Sequence, residues 1–161
     1  MPKAYTQKGD SGYTRDCSGK RRRKDDPVIQ VCGQIDALQS GIDAAMLGAR
    51  GRQRPLLQDI QRKLWQAAAE VSKCDKKCLI APVTDRDVHD IERHIDGLGR
   101  PPTHFVRFTT LSAIRSNECR VRPRALERLL VPMLKARKIR PAVYHYINRL
   151  SSLFFMLAYK S

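Results

Sequence analysis

No stretch of this chain is long and apolar enough to cross a bilayer; the longest greasy run, LFFML at residues 153–157, is far too short. The opening residues, MPKAYTQKGD, lack the apolar core of a secretion signal. A soluble, cytoplasmic protein with no membrane partner is therefore expected. Cysteines are few: Cys17, Cys32, Cys74, Cys78 and Cys119 form an odd, scattered set that argues against a disulfide framework and predicts free thiols. In CDKKC, Cys74 and Cys78 stand one residue further apart than in the usual zinc knuckle, and no second pair or nearby histidine completes four ligands. His89 and His94, five apart, fall on different faces of a helix. No metal site is expected. Acids are scarce: 16 Asp and Glu stand against 31 Lys and Arg, a net charge of +15 that calls for an anionic partner. That partner is either a nucleic acid or a polyphosphate nucleotide, and charge does not choose between them; aromatics make up only 6% of the residues and do not interleave with basic stretches such as KRRRK (residues 20–24), which weakens the nucleic-acid reading.

Helical periodicity is abundant. With 161 residues, the chain has room for one domain with a real core. Ile29, Cys32, Ile35, Leu38, Ile42 and Met46 recur at steps of three and four and predict a helix over 28–48, with Pro27 suited to its first turn. A second helix is predicted over 55–72. A third begins at a capping box formed by Thr84 and Asp87 and stops at GLGRPP. A fourth, over 109–138, contains Pro123, which is expected to kink it or to mark its true start. A fifth runs over 141–159. No segment alternates convincingly as a strand, so the expected class is all-α, a five-helix bundle.

Three polar constellations interrupt this pattern. Residues 5–14, YTQKGDSGYT, combine hydroxyls with glycines, which let a ligand approach the backbone closely and suit phosphate oxygens. In RVRPRALERL, Arg120, Arg124, Glu127 and Arg128 share a helix face in the manner of an anion clamp. Asn148 and Ser152 share another, on an otherwise apolar helix, and Asp36 beside Ile35 and Leu38 requires a basic partner that the arginine helix could supply.

Six blocks in order resemble the PduO-type ATP:cob(I)alamin adenosyltransferases: YTQKGDSGYT, RRRKDDPVIQVCGQIDALQS, IQRKLWQAAAEV, ERHIDGL with PPTHF, RVRPRALERLLVPML and YINRLSSLFFMLA. The resemblance spans nearly the whole chain. It implies a ferritin-like up-down bundle of five helices, assembled as a trimer, with ATP and the corrinoid bound between neighbouring subunits. It implies transfer of the 5′-deoxyadenosyl group of ATP to cob(I)alamin with Mg2+ as cofactor, and an adenosylcobalamin-dependent enzyme as a candidate acceptor of the product. Within a single domain, residues 1–26 form an extended ATP-binding segment. By the same resemblance, Thr6, Gln7, Lys8, Gly9, Thr14, Arg15 and Lys24 wrap the triphosphate, and Arg124, Glu127, Arg128 and Asn148 make further nucleotide contacts. Arg120 pairs with Asp36 across the subunit interface, and Phe105 helps to displace the lower ligand of the corrinoid. The chain departs from the family pattern at Gln7-Lys8, Ala125 and Ser152, at Pro123, and in VRFTTLS (residues 106–112), which replaces a Pro-Gly-Gly segment. These departures leave a noncatalytic ATP or corrinoid binder as one alternative, and the net charge of +15 with KRRRK leaves a basic helical nucleic-acid binder as another.

Overall fold

The computed structural model describes residues 5–49 and 51–161 of the chain. Five helices carry the structure: α1 (Pro27–Met46), α2 (Gln53–Val71), α3 (Asp85–Gly97), α4 (Leu111–Lys135) and α5 (Pro141–Tyr159). Their ends follow local chemistry. The Asp26 carboxylate accepts the Val28 N–H at the start of α1, with Pro27 at the first helical position. At α3 the Thr84 and Asp87 side chains satisfy each other's backbone donors in the expected capping box. Thr110 caps α4, so that helix starts well before Pro123. It runs on through Pro123 and Pro132; Pro123 is buried, and packing on both sides maintains the helix where the proline cannot donate a hydrogen bond.

Neighbour relations run α2 on α1, α1 on α4, α4 on α5 and α5 on α3. A β-carbon placed on Gly41 of α1 would lie 3.2 Å from Arg122 Nε and 3.3 Å from Cys119 Sγ, so α1 and α4 cross closely there. Gly48 lies against Ser112, which sets these two helices antiparallel. Leu38, Ile42, Ile60, Leu64, Leu130 and Phe154 are among the side chains that fill the shared core. Burial pushes the Cys119 thiol up to about 12.

One element departs from the all-helical expectation. Two short antiparallel strands, β1 (Tyr13–Arg15) and β2 (Arg21–Arg23), pair with Thr14 opposite Arg22. Strands of three residues are too short to display alternation, and an arginine run offers no apolar face to announce one. Polar contacts hold them instead. The buried Asp16 carboxylate accepts hydrogen bonds from the Ser18 and Lys20 N–H groups and the Ser18 hydroxyl and pairs with Arg22, while Gly19 at φ +80° closes the turn. Arg22 also reaches Asp26, the cap of α1, at 3.3 Å, and the Arg21 guanidinium lies 4.0 Å from the Tyr13 ring centroid.

Burial pushes the Asp16 carboxyl up, but hydrogen bonds from Arg22, Ser18 and Lys20 outweigh it and hold the group below the ordinary carboxylate value of 3.8. A depressed folded-state pKa contributes stability that is complete above the unfolded value and is lost as pH falls from there through the folded value. Hydrogen exchange at residues 13–23 is expected to accelerate as pH falls below 3.8, after correction for the intrinsic rate. Asp16→Asn is expected to weaken the hairpin at neutral pH by about 1.5–3 kcal/mol, as for hydrogen bonds to a charged group. An exchange profile in Asp16→Asn identical to that of the parent chain would show that another contact holds the turn.

Candidate functional site

The glycine segment and the second strand meet over one spot. Turns at Gln7–Asp10 and Gly9–Gly12 fold the segment back, with hydrogen bonds of 3.2 and 3.1 Å, and the Lys24 N–H donates to the Gly12 carbonyl at 2.9 Å. Gln7 adopts the left-handed region at φ 58° and Gly12 at φ +79°. Lys24 Nζ lies 3.1 Å from where a β-carbon on Gly9 would stand, so any side chain at Gly9 would crowd the ammonium group. Thr6, Gln7, Lys8, Arg15 and Lys24 are exposed, with Gly9 and Thr14 half-buried. The arrangement is a cationic, glycine-lined strip suited to phosphate oxygens. Residues 1–4 of the predicted segment lie outside the described residues.

The second cluster sits where α4, α5 and α3 meet. Asn148 donates from Nδ2 to the Glu127 carboxylate at 3.0 Å and accepts at Oδ1 from Arg149 at 2.7 Å, and Arg149 donates to Glu92 at 2.7 Å. Four polar residues from three helices thus form one chain of bonds. The bond joins Glu127 to Asn148, two residues that the resemblance places at the nucleotide; Glu92 and Arg149 were not among the expected site residues, although the apolar surroundings of Arg149 on α5 mark it as a residue that needs a partner.

The arginine face divides. Arg120 and Arg124 border one hollow of about 430 Å³ with Pro101, Ser151 and Ser152. Arg128 lines another with Gln30, Gly33 and Gln34 of α1, a turn or so beyond the helix start to which the hairpin is tied. Arg120 Nε donates to Asn117 at 2.7 Å. Arg120 also borders a third hollow, of about 470 Å³, with Phe105, Phe108, Ile114 and Phe155. Phe108 and Phe155 meet edge to face with ring centroids 6.2 Å apart, while Phe105 stands 89% exposed.

Asp36 does not sit in an apolar stripe; it is exposed on the α1 face toward α2, bordering a hollow of about 1080 Å³ with Ser40, Asp43, Gln58 and Trp65. Within one chain it makes no ion pair among the described residues, and Arg120 is engaged elsewhere. Its helical phase explains the exposure, because neighbouring Ile35 and Leu38 point into the core.

The cysteines depart from expectation. Cys74 and Cys78 are joined as a disulfide with Cα atoms 6.0 Å apart, and Cys17 from the β1–β2 turn brings a third sulfur into the same cluster. Cys17 lies far from the pair in sequence and reaches it only through a hairpin that no residue pattern announces.

Comparison with known proteins places this architecture. A corrinoid adenosyltransferase of Citrobacter freundii is 30% identical over 165 residues, covering 98% of this chain and 94% of that protein. The corrinoid adenosyltransferase MMAB of Bos taurus is 28% identical over 170 residues, covering 98% of this chain and 70% of that protein. A solved structure of a phenylalanine-to-histidine variant of the PduO-type ATP:corrinoid adenosyltransferase from Lactobacillus reuteri, complexed with cobalamin and ATP, is similar with a TM-score of 0.83 and 25% identity, covering 97% of this chain and 89% of that one. An arginine-to-lysine variant of the same enzyme, complexed with ATP, is similar with a TM-score of 0.82 and 26% identity, covering 97% and 92%. The family match itself extends over residues 4–161, and the chain therefore belongs to the cobalamin adenosyltransferase family.

Proposed function

We propose that this protein transfers the 5′-deoxyadenosyl group of ATP to cob(I)alamin, forming adenosylcobalamin and releasing triphosphate. The observation that carries the reading is the convergence of Gly9 and Lys24 into a cationic strip, in a chain whose family is that of the corrinoid adenosyltransferases. The cobalt lone pair of the substrate attacks C5′ of ATP; a cobalt–carbon bond forms as the bond from C5′ to the triphosphate oxygen breaks. The nucleophile thus comes from the corrinoid. The protein aligns the two reactants and stabilises the charge that accumulates on the leaving group.

Each predicted residue takes a part in this scheme. Within residues 1–26 of a single 161-residue domain, Thr6, Gln7, Lys8, Gly9, Thr14, Arg15 and Lys24 hold the triphosphate by main-chain donors, hydroxyls and cations. Arg124 and Arg128 add charge-assisted bonds, and Glu127 with Asn148 offers acceptors and donors to the nucleoside. Mg2+ travels with the triphosphate oxygens, its hard ligands; among the described residues no cluster of three acids competes for it. Phe105, bare in one chain, covers the corrinoid and keeps water and the lower ligand from cobalt.

The scheme requires neighbouring copies, and we place the subunit contact of a homotrimer along α1 and α2. Trp65 is 67% and Ile80 76% exposed beside Asp36, apolar surface that a neighbouring copy would cover. Asp36 then finds the partner subunit's Arg120, which couples assembly to the site. An adenosylcobalamin-dependent enzyme is the acceptor of the product.

Incubation of the purified chain with chemically reduced cobalamin and ATP is expected to yield the adenosyl product, followed by its visible absorbance. Binding of both substrates without formation of the cobalt–carbon bond would replace this reading with a noncatalytic binder.

If Lys24 and Arg128 hold phosphates, Lys24→Ala and Arg128→Ala should each cost about 1.5–3 kcal/mol of ATP binding, roughly 10- to 150-fold, by calorimetry. Unchanged affinity in both would move the nucleotide elsewhere.

Asp36→Asn and Arg120→Ala are each expected to cut turnover sharply and to loosen the trimer in sedimentation, with the double variant far less impaired than the product of the two losses. Independent positions would give additive free energies instead. Additivity, or a stable monomer with full ATP affinity, would remove the pair and the assembly from the scheme.

A further inference from the structure

The cysteine cluster lies outside the site described above and joins two segments distant in sequence. We propose that Cys17, Cys74 and Cys78, in their reduced form, bind one zinc ion through three thiolate sulfurs with water in the fourth position, and that the ion staples the β1–β2 turn to the loop after α2. The three sulfurs lie within 4.8 Å of one another. A tetrahedral site with zinc–sulfur bonds of about 2.3 Å places its sulfurs about 3.8 Å apart, within the span of this cluster.

Both loops are built to hold their sulfurs still. After α2, the Lys73 N–H donates to the Glu70 carbonyl at 3.0 Å and the Cys74 N–H to the Ala69 carbonyl at 2.9 Å, with Lys73 at φ 54°: a Schellman close that fixes the backbone at Cys74. The Asp75 carboxylate then accepts the Lys77 N–H at 2.9 Å, and the Asp75 carbonyl accepts the Cys78 N–H at 3.2 Å, curling the chain so that Cys78 returns beside Cys74. Cys17 stands at the exposed turn that Asp16 locks, and Cys74 Sγ lies 3.4 Å from the Cys17 carbonyl oxygen. Three thiolates around a divalent ion leave one net negative charge, and the sequence surrounds them with Lys20, Lys73, Lys76 and Lys77. Soft sulfur donors in this number select zinc over magnesium or calcium.

The oxidised pair cannot serve as two thiolates. Reduction of the Cys74–Cys78 bond by an external thiol or phosphine, with two electrons and two protons, restores the dithiol; ion binding then releases three thiol protons. The staple acts on function through position alone: it fixes the hairpin whose second strand leads directly into Lys24.

The test uses the full chain, reduced with a phosphine and freed of metal. Titration with Co(II) is expected to give thiolate-to-cobalt absorption in the near ultraviolet and the visible bands of a tetrahedral ion, saturating at one equivalent and displaced by Zn(II). Zinc should slow hydrogen exchange at residues 13–23. Cys17→Ser should weaken binding by more than about a hundredfold, the upper end of what loss of even an outer-shell partner costs, while Cys32→Ser, outside the cluster, leaves it unchanged. No uptake by the reduced parent chain would overturn the proposal, as would full affinity in Cys17→Ser, since the hairpin would then hold no ligand. None of these readouts depends on ATP or cobalamin, so they stand apart from the transferase reading.

Discussion

The burial of α5 is the constraint on which the rest of the bundle depends. Ten of its nineteen residues are buried, and it packs against both α3 and α4. Its polar side chains meet different fates: the Tyr146 hydroxyl is buried with no hydrogen-bond partner among the described residues, while Asn148 and Arg149 reach outward, one to Glu127 on α4 and the other to Glu92 on α3. Those bonds are worth little as net stability, but each restricts how its helix can rotate about the central one. The polar part of the proposed nucleotide site is thus oriented by the same packing that makes the core.

The N-terminal hairpin solves a different problem. Two strands of three residues have too little surface to stand alone. Arg22 bridges Asp16, which organises the turn, and Asp26, which caps α1, so charge ties the hairpin to the start of the bundle. This is an economical use of a strongly basic composition, since the same run that pairs with acids on one side presents Lys24 to Gly9 on the other.

The five helices were legible in the sequence because burial imposes a repeat of three and four residues, and the start of α3 was legible because Thr84 and Asp87 form a capping box; the Thr110 cap of α4, which precedes a buried proline, was not. The hairpin was not, because Arg21–Arg23 carry no pattern that distinguishes strand from coil. Asn148 was legible as a polar interruption that needs a partner and Glu127 as the acid of the arginine face, though not their bond to each other; Glu92 was not legible, because α3 exposes most of its polar face and one acid there resembles the others. The separation of Asp36 from Arg120 within the chain is a three-dimensional fact that spacing along one helix does not encode. The cysteine cluster required knowledge of where the hairpin tip lands.

The close crossing at Gly41 also sets the phasing of the molecule. Where two helices touch through larger side chains, sliding by a turn of about 5.4 Å exchanges one set of knobs for another at modest cost. Here the Arg122 and Cys119 side chains occupy the space left by a missing β-carbon, and a slide would bring Leu38 or Ala45 into that space. Gly41 acts as a detent that indexes α4 along α1. Arg128, which lies beside Gln30 and Gln34 two turns away, inherits its address from that notch. Enlarging the residue at position 41 would misfile the arginine face relative to the chain entering α1 without altering a single charged side chain.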